Sequence, residues 1–137
     1  MVYAILLYEE LVTEDEYNKR RDELFLSTPE DDDLLYLEWE TDIQKVIIYI
    51  RTRIDYNNLD LERFRRILMS KLKAVYVKCS DIKHFAGHSH SLWESLPGNI
   101  QNIEPFWALN YADDPLSWGD EEQTRNIYEH MLNYYEN

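Results

Sequence analysis

Between Asp33 and Cys79 the chain alternates hydrophobic and polar positions in a way that predicts strand, strand, helix, strand. In Leu34–Thr41, the side chains of Leu35, Leu37 and Trp39 point one way and those of Tyr36, Glu38 and Glu40 the other. A polar break follows at Asp42-Ile43-Gln44. The run from Lys45 to Ile54 is rich in β-branched and aromatic residues, which suit a pleated surface, and the polar cluster Asp55 to Asn58 closes it. Asp60 opens a stretch with Leu61, Phe64, Ile67, Leu68 and Leu72 at helical spacing, and Ala74–Cys79 reads as a further strand.

Upstream, Val2–Tyr8 is a short apolar run that fits a buried strand or the start of a helix; Tyr3 and its β-branched neighbours favour the strand. Thr13-Glu14-Asp15-Glu16 is a capping box, with Val12 and Tyr17 placed for a hydrophobic staple, and Thr28-Pro29 with the acid run Glu30 to Asp33 ends the helix it starts. Residues 1–79 therefore predict an α+β fold. The order β-α-β-β-α-β is the split βαβ, ferredoxin-like pattern, a four-stranded antiparallel sheet with two helices on one face. Register supports it: Leu35, Leu37 and Trp39 would oppose Thr52, Ile50 and Ile48, while Glu38 and Tyr36 would meet Tyr49 and Arg51. The competing reading is all-α, because Leu35, Trp39, Ile43, Ile47, Ile50 and Ile54 also fit a helical stripe and the chain has only 3 glycines.

Residues 80–137 predict a C-terminal extension packed on that core in one domain of 137 residues. Asp81 to His90 reads as a polar, histidine-rich loop. Ser91-Leu92-Trp93-Glu94 is a second capping box for a short helix stopped at Pro97-Gly98. Asn99 to Trp118 is loop-like yet heavy in large apolar side chains. Ser117–Asp120 starts a last helix whose apolar side carries Ile127, Tyr128, Met131, Tyr134 and Tyr135. The open sheet face, with Tyr36, Tyr49, Arg51 and Tyr76, has the residue types that stack RNA bases, but the basic-aromatic sequence of those modules is absent. Burial beneath residues 99–118 is the plainer fate of that face.

Charge changes the picture more than composition does. The net charge is −13. Residues 1–44 carry 14 acids and 3 bases (net −11), residues 45–83 carry 4 acids and 10 bases (net +6), and residues 84–137 carry 9 acids and 1 base (net −8). In the plain account the acidic flanks fold against the basic middle and neutralise it. In the functional account the acid remains exposed and steers a positively charged protein partner. Free nucleic acid is a poor partner for such a surface. No apolar run reaches the roughly 18 residues of a membrane span. The acidic N-terminal stretch does not read as a signal peptide. A single cysteine permits no internal disulfide. A cytoplasmic protein is expected.

The candidate chemistry is thin. Cys79, His84, His88 and His90 are the one cluster of metal-ligand types; thiolate and imidazole suit zinc, but the spacing matches no standard finger. The alternative function is a metal-assisted phosphodiesterase or nuclease centred on His84, His88 and His90; its His88-x-His90 pair with a tyrosine nucleophile (Tyr128, Tyr134 or Tyr135) would suit nicking of nucleic acid, against which stand the serine between the histidines and the acidic balance. Serines 89 and 91 lie near histidines without a nucleophile-elbow sequence, and Gly87, Gly98 and Gly119 are isolated, so there is no phosphate loop. No cofactor is expected. The leading expectation is a non-catalytic acidic protein that inhibits or neutralises a basic, nucleic-acid-handling partner, of the type of immunity proteins and phage-encoded inhibitors of bacterial defence. Its contacts would be Glu38, Asp113 and Asp114 for register and Trp107 and Trp118 as anchors.

Overall fold

The structure, a computed structural model, describes residues 1–53 and 60–136. Helix covers 77% of it, and no strand occurs among the described residues. The expected α+β, ferredoxin-like fold is therefore wrong, and the all-α reading holds. The chain divides into two compact units, Met1–Leu59 and Asp60–Asn137.

The first unit contains α1 (Val2–Tyr8), α2 (Glu14–Ser27), α3 (Asp32–Trp39) and α4 (Ile43–Arg53). All three segments read as its strands are helices, for reasons visible at their ends. Asp31 accepts the N–H groups of Asp33 and Leu34, so the acid run that terminates α2 also starts α3. Asp42 accepts the Gln44 N–H, which makes the polar break a junction between two helices. With its start capped by Asp42 and no glycine in α4, the β preference of Val46-Ile47-Ile48 is a small term that burial overrides. Ile43, Val46, Ile47 and Ile50 turn inward at i, i+3, i+4 and i+7, while Ile48 is 62% exposed. Ile54 and the polar cluster Asp55–Asn58 lie outside the described residues.

The core of this unit joins Ala4 of α1, Tyr17 of α2 and Val46 and Ile47 of α4, flanked by Leu37 of α3. Tyr36 and Tyr49 stack with ring centroids 3.8 Å apart, a contact the sheet register did not include, since it set Tyr36 against Arg51 and Tyr49 against Glu38. Thr13 caps α2 as expected, accepting the Glu16 N–H at 3.2 Å. Helix α1 closes with a Schellman motif: the Leu11 N–H bonds the Leu6 carbonyl and the Glu10 N–H the Leu7 carbonyl, with Glu10 at φ 59°.

The second unit contains α5 (Leu61–Lys78), α6 (Ile82–Ser95), α7 (Gly98–Gln101), α8 (Ala108–Tyr111), a 3-10 turn at Asp114–Trp118, α9 (Glu121–Leu132) and a 3-10 turn at Tyr134–Glu136. The expected strand at 74–79 is the last turn of α5: nothing after Leu72 breaks a helix, and Asp60 caps its start through the Arg63 N–H. The expected histidine loop is helix α6, capped by Asp81 through the Lys83 N–H. Ile82, Phe85, Ala86, Ser89 and Leu92 form its buried stripe, so the proposed capping serine, Ser91, is in mid-helix. The loop-like Asn99–Trp118 contains α7, α8 and the 3-10 turn. The last helix starts where the stretch Ser117–Asp120 placed it, with Asp120 as the cap that accepts the Gln123 N–H.

Helix α9 packs on α5, α8 and the 3-10 turn that precedes it, and α6 packs on α8. Tyr128 of α9 and Phe85 of α6 meet edge to face at 5.0 Å, and Tyr76 of α5 meets Phe85 at 5.2 Å. Buried Thr124 donates to the Ala112 carbonyl at 2.7 Å, tying α9 to the end of α8. Trp93 and Gln101 exchange side-chain-to-carbonyl bonds at 2.9 and 3.0 Å and hold α7 against α6.

Two glycines in this unit make a test with opposite signs. Gly87 sits inside α6 with nothing near the position of an added Cβ, so Gly87→Ala raises stability by about 0.5–1 kcal/mol. Gly119 has φ 79° and equally open surroundings, so Gly119→Ala lowers stability by about 1 kcal/mol through the backbone alone. Urea unfolding of the two variants measures both.

Candidate functional site

The residues singled out from sequence are divided between the two units. Glu38 belongs to the first unit, where its Oε1 lies 3.5 Å from Arg21 Nε on α2. Partial burial and the neighbouring Asp22 carboxyl push the Glu38 carboxyl above its ordinary range, against the opposing pull of Arg21. The other four partner-binding candidates lie in the second unit. Asp113 faces His90, with Oδ1 3.4 Å from Nδ1, and Glu94 approaches the other ring nitrogen of His90 at 3.2 Å. Asp114 is exposed in the 3-10 turn, and Trp118 at the end of that turn is 63% exposed.

The cluster of metal-ligand types is taken apart by α6. His84 and His88 stand one turn apart with ring centroids 4.3 Å from each other. His90 is two residues further on, which turns it to the opposite side of the helix, where it meets Glu94 and Asp113. Cys79 ends α5, and its thiol donates to the Asp81 carbonyl. Among the described residues no three His, Cys, Asp or Glu side chains come together as a metal site. Tyr128, weighed as a nucleophile, is fully buried, and burial pushes its phenol up to about 12. A phenol held neutral in this way is the reverse of an activated nucleophile. Ser89 is buried as well and donates to the Phe85 carbonyl of its own helix at 2.6 Å.

A feature that the sequence reading passed over lies between the turn at 104–107, α8 and α9. There a groove of about 400 Å³ opens to solvent, a size within the ordinary range of ligand sites. Trp107, Tyr111 and Tyr134, all exposed, supply aromatic walls, and Ile127 and Met131 of α9 supply an apolar surface. Polar residues are few in its lining: Glu104, Gln123, Asn126 and His130. No lysine or arginine lines it among the described residues. Of the expected contacts only Trp107 belongs to it. Tyr111, Ile127, Met131 and Tyr134 were visible as apolar positions, yet nothing in their spacing showed that a short helix at 108–111 sets them around one opening.

Charge at the surface is partly internal and partly free. Arg20, Arg66, Lys73 and Arg125 pair with Glu23, Glu62, Glu136 and Glu121, and Asp31, Asp42, Asp60, Asp81 and Asp120 are occupied in capping helices. Glu14, Asp15, Glu16, Glu30 and Asp32 in the first unit, and Glu104, Asp114 and Glu122 in the second, are exposed and enter no ion pair among the described residues.

No protein-family model, curated protein or solved structure matches the chain. No helix among the described residues is long and apolar enough to cross a membrane.

Proposed function

We propose that this chain is a non-catalytic acidic binding protein of the cytoplasm that occupies, and thereby blocks, a basic nucleic-acid-handling protein. One observation carries the reading. After helix caps and internal ion pairs have taken their share of the carboxylates, Glu14, Asp15, Glu16, Glu30, Asp32, Glu104, Asp114 and Glu122 remain exposed without a cationic partner among the described residues. Uncompensated surface carboxylates repel phosphate and attract the lysine- and arginine-rich surfaces that phosphate normally occupies. Exposed Trp107 and Trp118 add the large apolar contacts that charge alone does not supply.

The test is a titration with a lysine- and arginine-rich polypeptide that binds nucleic acid. Association weakens at least about tenfold as ionic strength rises from about 0.01 M to about 1 M, and the protein competes with a nucleic acid for the polypeptide. A triple amide variant of Glu30, Asp114 and Glu122 (Glu30→Gln, Asp114→Asn, Glu122→Gln) binds several-fold more weakly than one made at the paired Glu62, Glu121 and Glu136. Affinity indifferent to salt, absence of competition, or equal effects of the two triple variants overturns the reading.

A further inference from the structure

From the groove on the second unit we infer a receptor for one arginine side chain, with Glu104 as the carboxylate that binds the guanidinium and Trp107, Tyr111 and Tyr134 as the rings against which it stacks. This deepens the proposed function and rests on it: it names the chemical group of the partner that the surface accepts.

What the groove contains and lacks selects its occupant. It has aromatic walls, one carboxylate with no ion-pair partner among the described residues, and two carboxamides whose oxygens accept hydrogen bonds. It has no basic side chain among the described residues apart from the imidazole of His130. An apolar occupant would strip water from the Glu104 carboxylate and give nothing back. An anion would meet that carboxylate directly. A cation meets a carboxylate and the negative faces of the rings together. Among cations the guanidinium fits best, because it is flat, stacks on aromatic faces and carries several N–H donors, enough for the carboxylate and the Gln123 and Asn126 carbonyl oxygens at once. The compact ammonium of lysine has fewer donors and no flat face. At about 400 Å³ the opening is larger than one side chain, which leaves space for the backbone that carries it.

The probe is a blocked Gly-Arg-Gly peptide titrated into the full chain, read by the Trp107 indole N–H resonance, which Trp107→Phe assigns. Its citrulline counterpart has the same shape without the charge, and a Gly-Lys-Gly peptide has the charge without the plane. The arginine peptide shifts the resonance saturably, and both comparators bind at least about tenfold more weakly. Glu104→Gln lowers arginine-peptide affinity about tenfold, whereas Glu62→Gln, the same charge change at an ion-paired carboxylate outside the groove, leaves it unaltered. The circular dichroism spectra of both variants match the parent.

Equal binding of the arginine and citrulline peptides, equal losses in the two variants, or no shift of the Trp107 resonance overturns the inference. Its failure is distinguishable from failure of the proposed function. A polybasic probe that still binds the Glu104→Gln and Trp107→Phe variants at full affinity and with unchanged salt dependence removes the arginine receptor and leaves the acidic binding protein. A polybasic probe that binds without salt dependence removes the latter, even if the tripeptide fills the groove.

Discussion

Tyr128→Ala destabilises the protein by about 3–5 kcal/mol, whereas Tyr128→Phe at neutral pH costs no more than about 1 kcal/mol. Tyr128 has no exposed surface, and its ring contacts Phe85 edge to face and lies 6.0 Å from Tyr76, so alanine leaves a ring-sized void among three helices. Phenylalanine keeps the ring and deletes only a hydroxyl whose partner among the described residues, Ser89 Oγ, is at 3.4 Å. Ser89 retains the carbonyls of Phe85 and Ala86, so no buried donor is orphaned by the change.

The same pair of variants has an alkaline signature. Burial, followed in size by the opposing Ser89 hydrogen bond and the Asp113 charge, moves the Tyr128 phenol from 10.0 to about 12 in the folded state. The folded protein thus holds this proton more tightly than the unfolded chain does. The associated stability is complete below pH 10 and disappears as pH rises through about 12, a loss of about 3 kcal/mol. Tyr128→Phe has no such proton, so its stability falls about 3 kcal/mol less over that interval and its curve crosses above that of the parent. Urea unfolding at a series of alkaline pH values measures the difference, and parallel curves would show that the phenol is not sealed from water.

Punctuation was the legible part of this fold. Thr13, Asp60 and the stretch Ser117–Asp120 announce helix starts from the chain alone: Thr13 accepts the Glu16 N–H that its capping box predicts, and Asp60 and Asp120 accept the Arg63 and Gln123 N–H groups. The break at Asp42 was located correctly too. Its meaning was not legible, since an aspartate that caps a helix and one that turns a hairpin look alike between two apolar runs. Period was the weaker signal. In Leu34–Trp39 alternate positions are apolar by coincidence with a half-buried helix, and Ile48 extends a β-branched run although it faces water. In α6 the error ran the other way: histidines, a glycine and serines hid the inward stripe of Ile82, Phe85, Ala86 and Leu92.

The site was less legible than the fold, for a related reason. Glu38, Asp113 and Asp114 are equivalent as letters, yet folding gives the first to Arg21, the second to His90 and leaves only the third unpaired. Aspartates 31, 42, 60, 81 and 120 show that part of the acidic excess is structural, present because many short helices need many caps. Net charge counts all of these alike. The groove depends on the turn at 104–107 and on α8, elements too short to leave a periodic trace.

Ile47 and Ile48 separate the two architectures at the level of single side chains. In the helical structure Ile47 is buried with Ala4, Tyr17 and Val46, and its neighbour is mostly in solvent. Ile47→Ala therefore costs about 2–5 kcal/mol, from lost burial together with a cavity that a small unit closes only in part. Ile48→Ala stays within about 0.5 kcal/mol, because it removes exposed apolar surface and introduces the best helix former. Trp39→Ala behaves like Ile48→Ala, Trp39 being 80% exposed. A split βαβ sheet makes the opposite assignment: Ile48 and Trp39 oppose each other beneath the helices, and Ile47 lies on the other face. Under that arrangement Ile48→Ala and Trp39→Ala would be the severe changes, and alanine in place of a β-branched residue would weaken a strand further. Denaturant midpoints for the three variants decide between the two, since the order of severity inverts and no general softness of the protein reproduces the inversion.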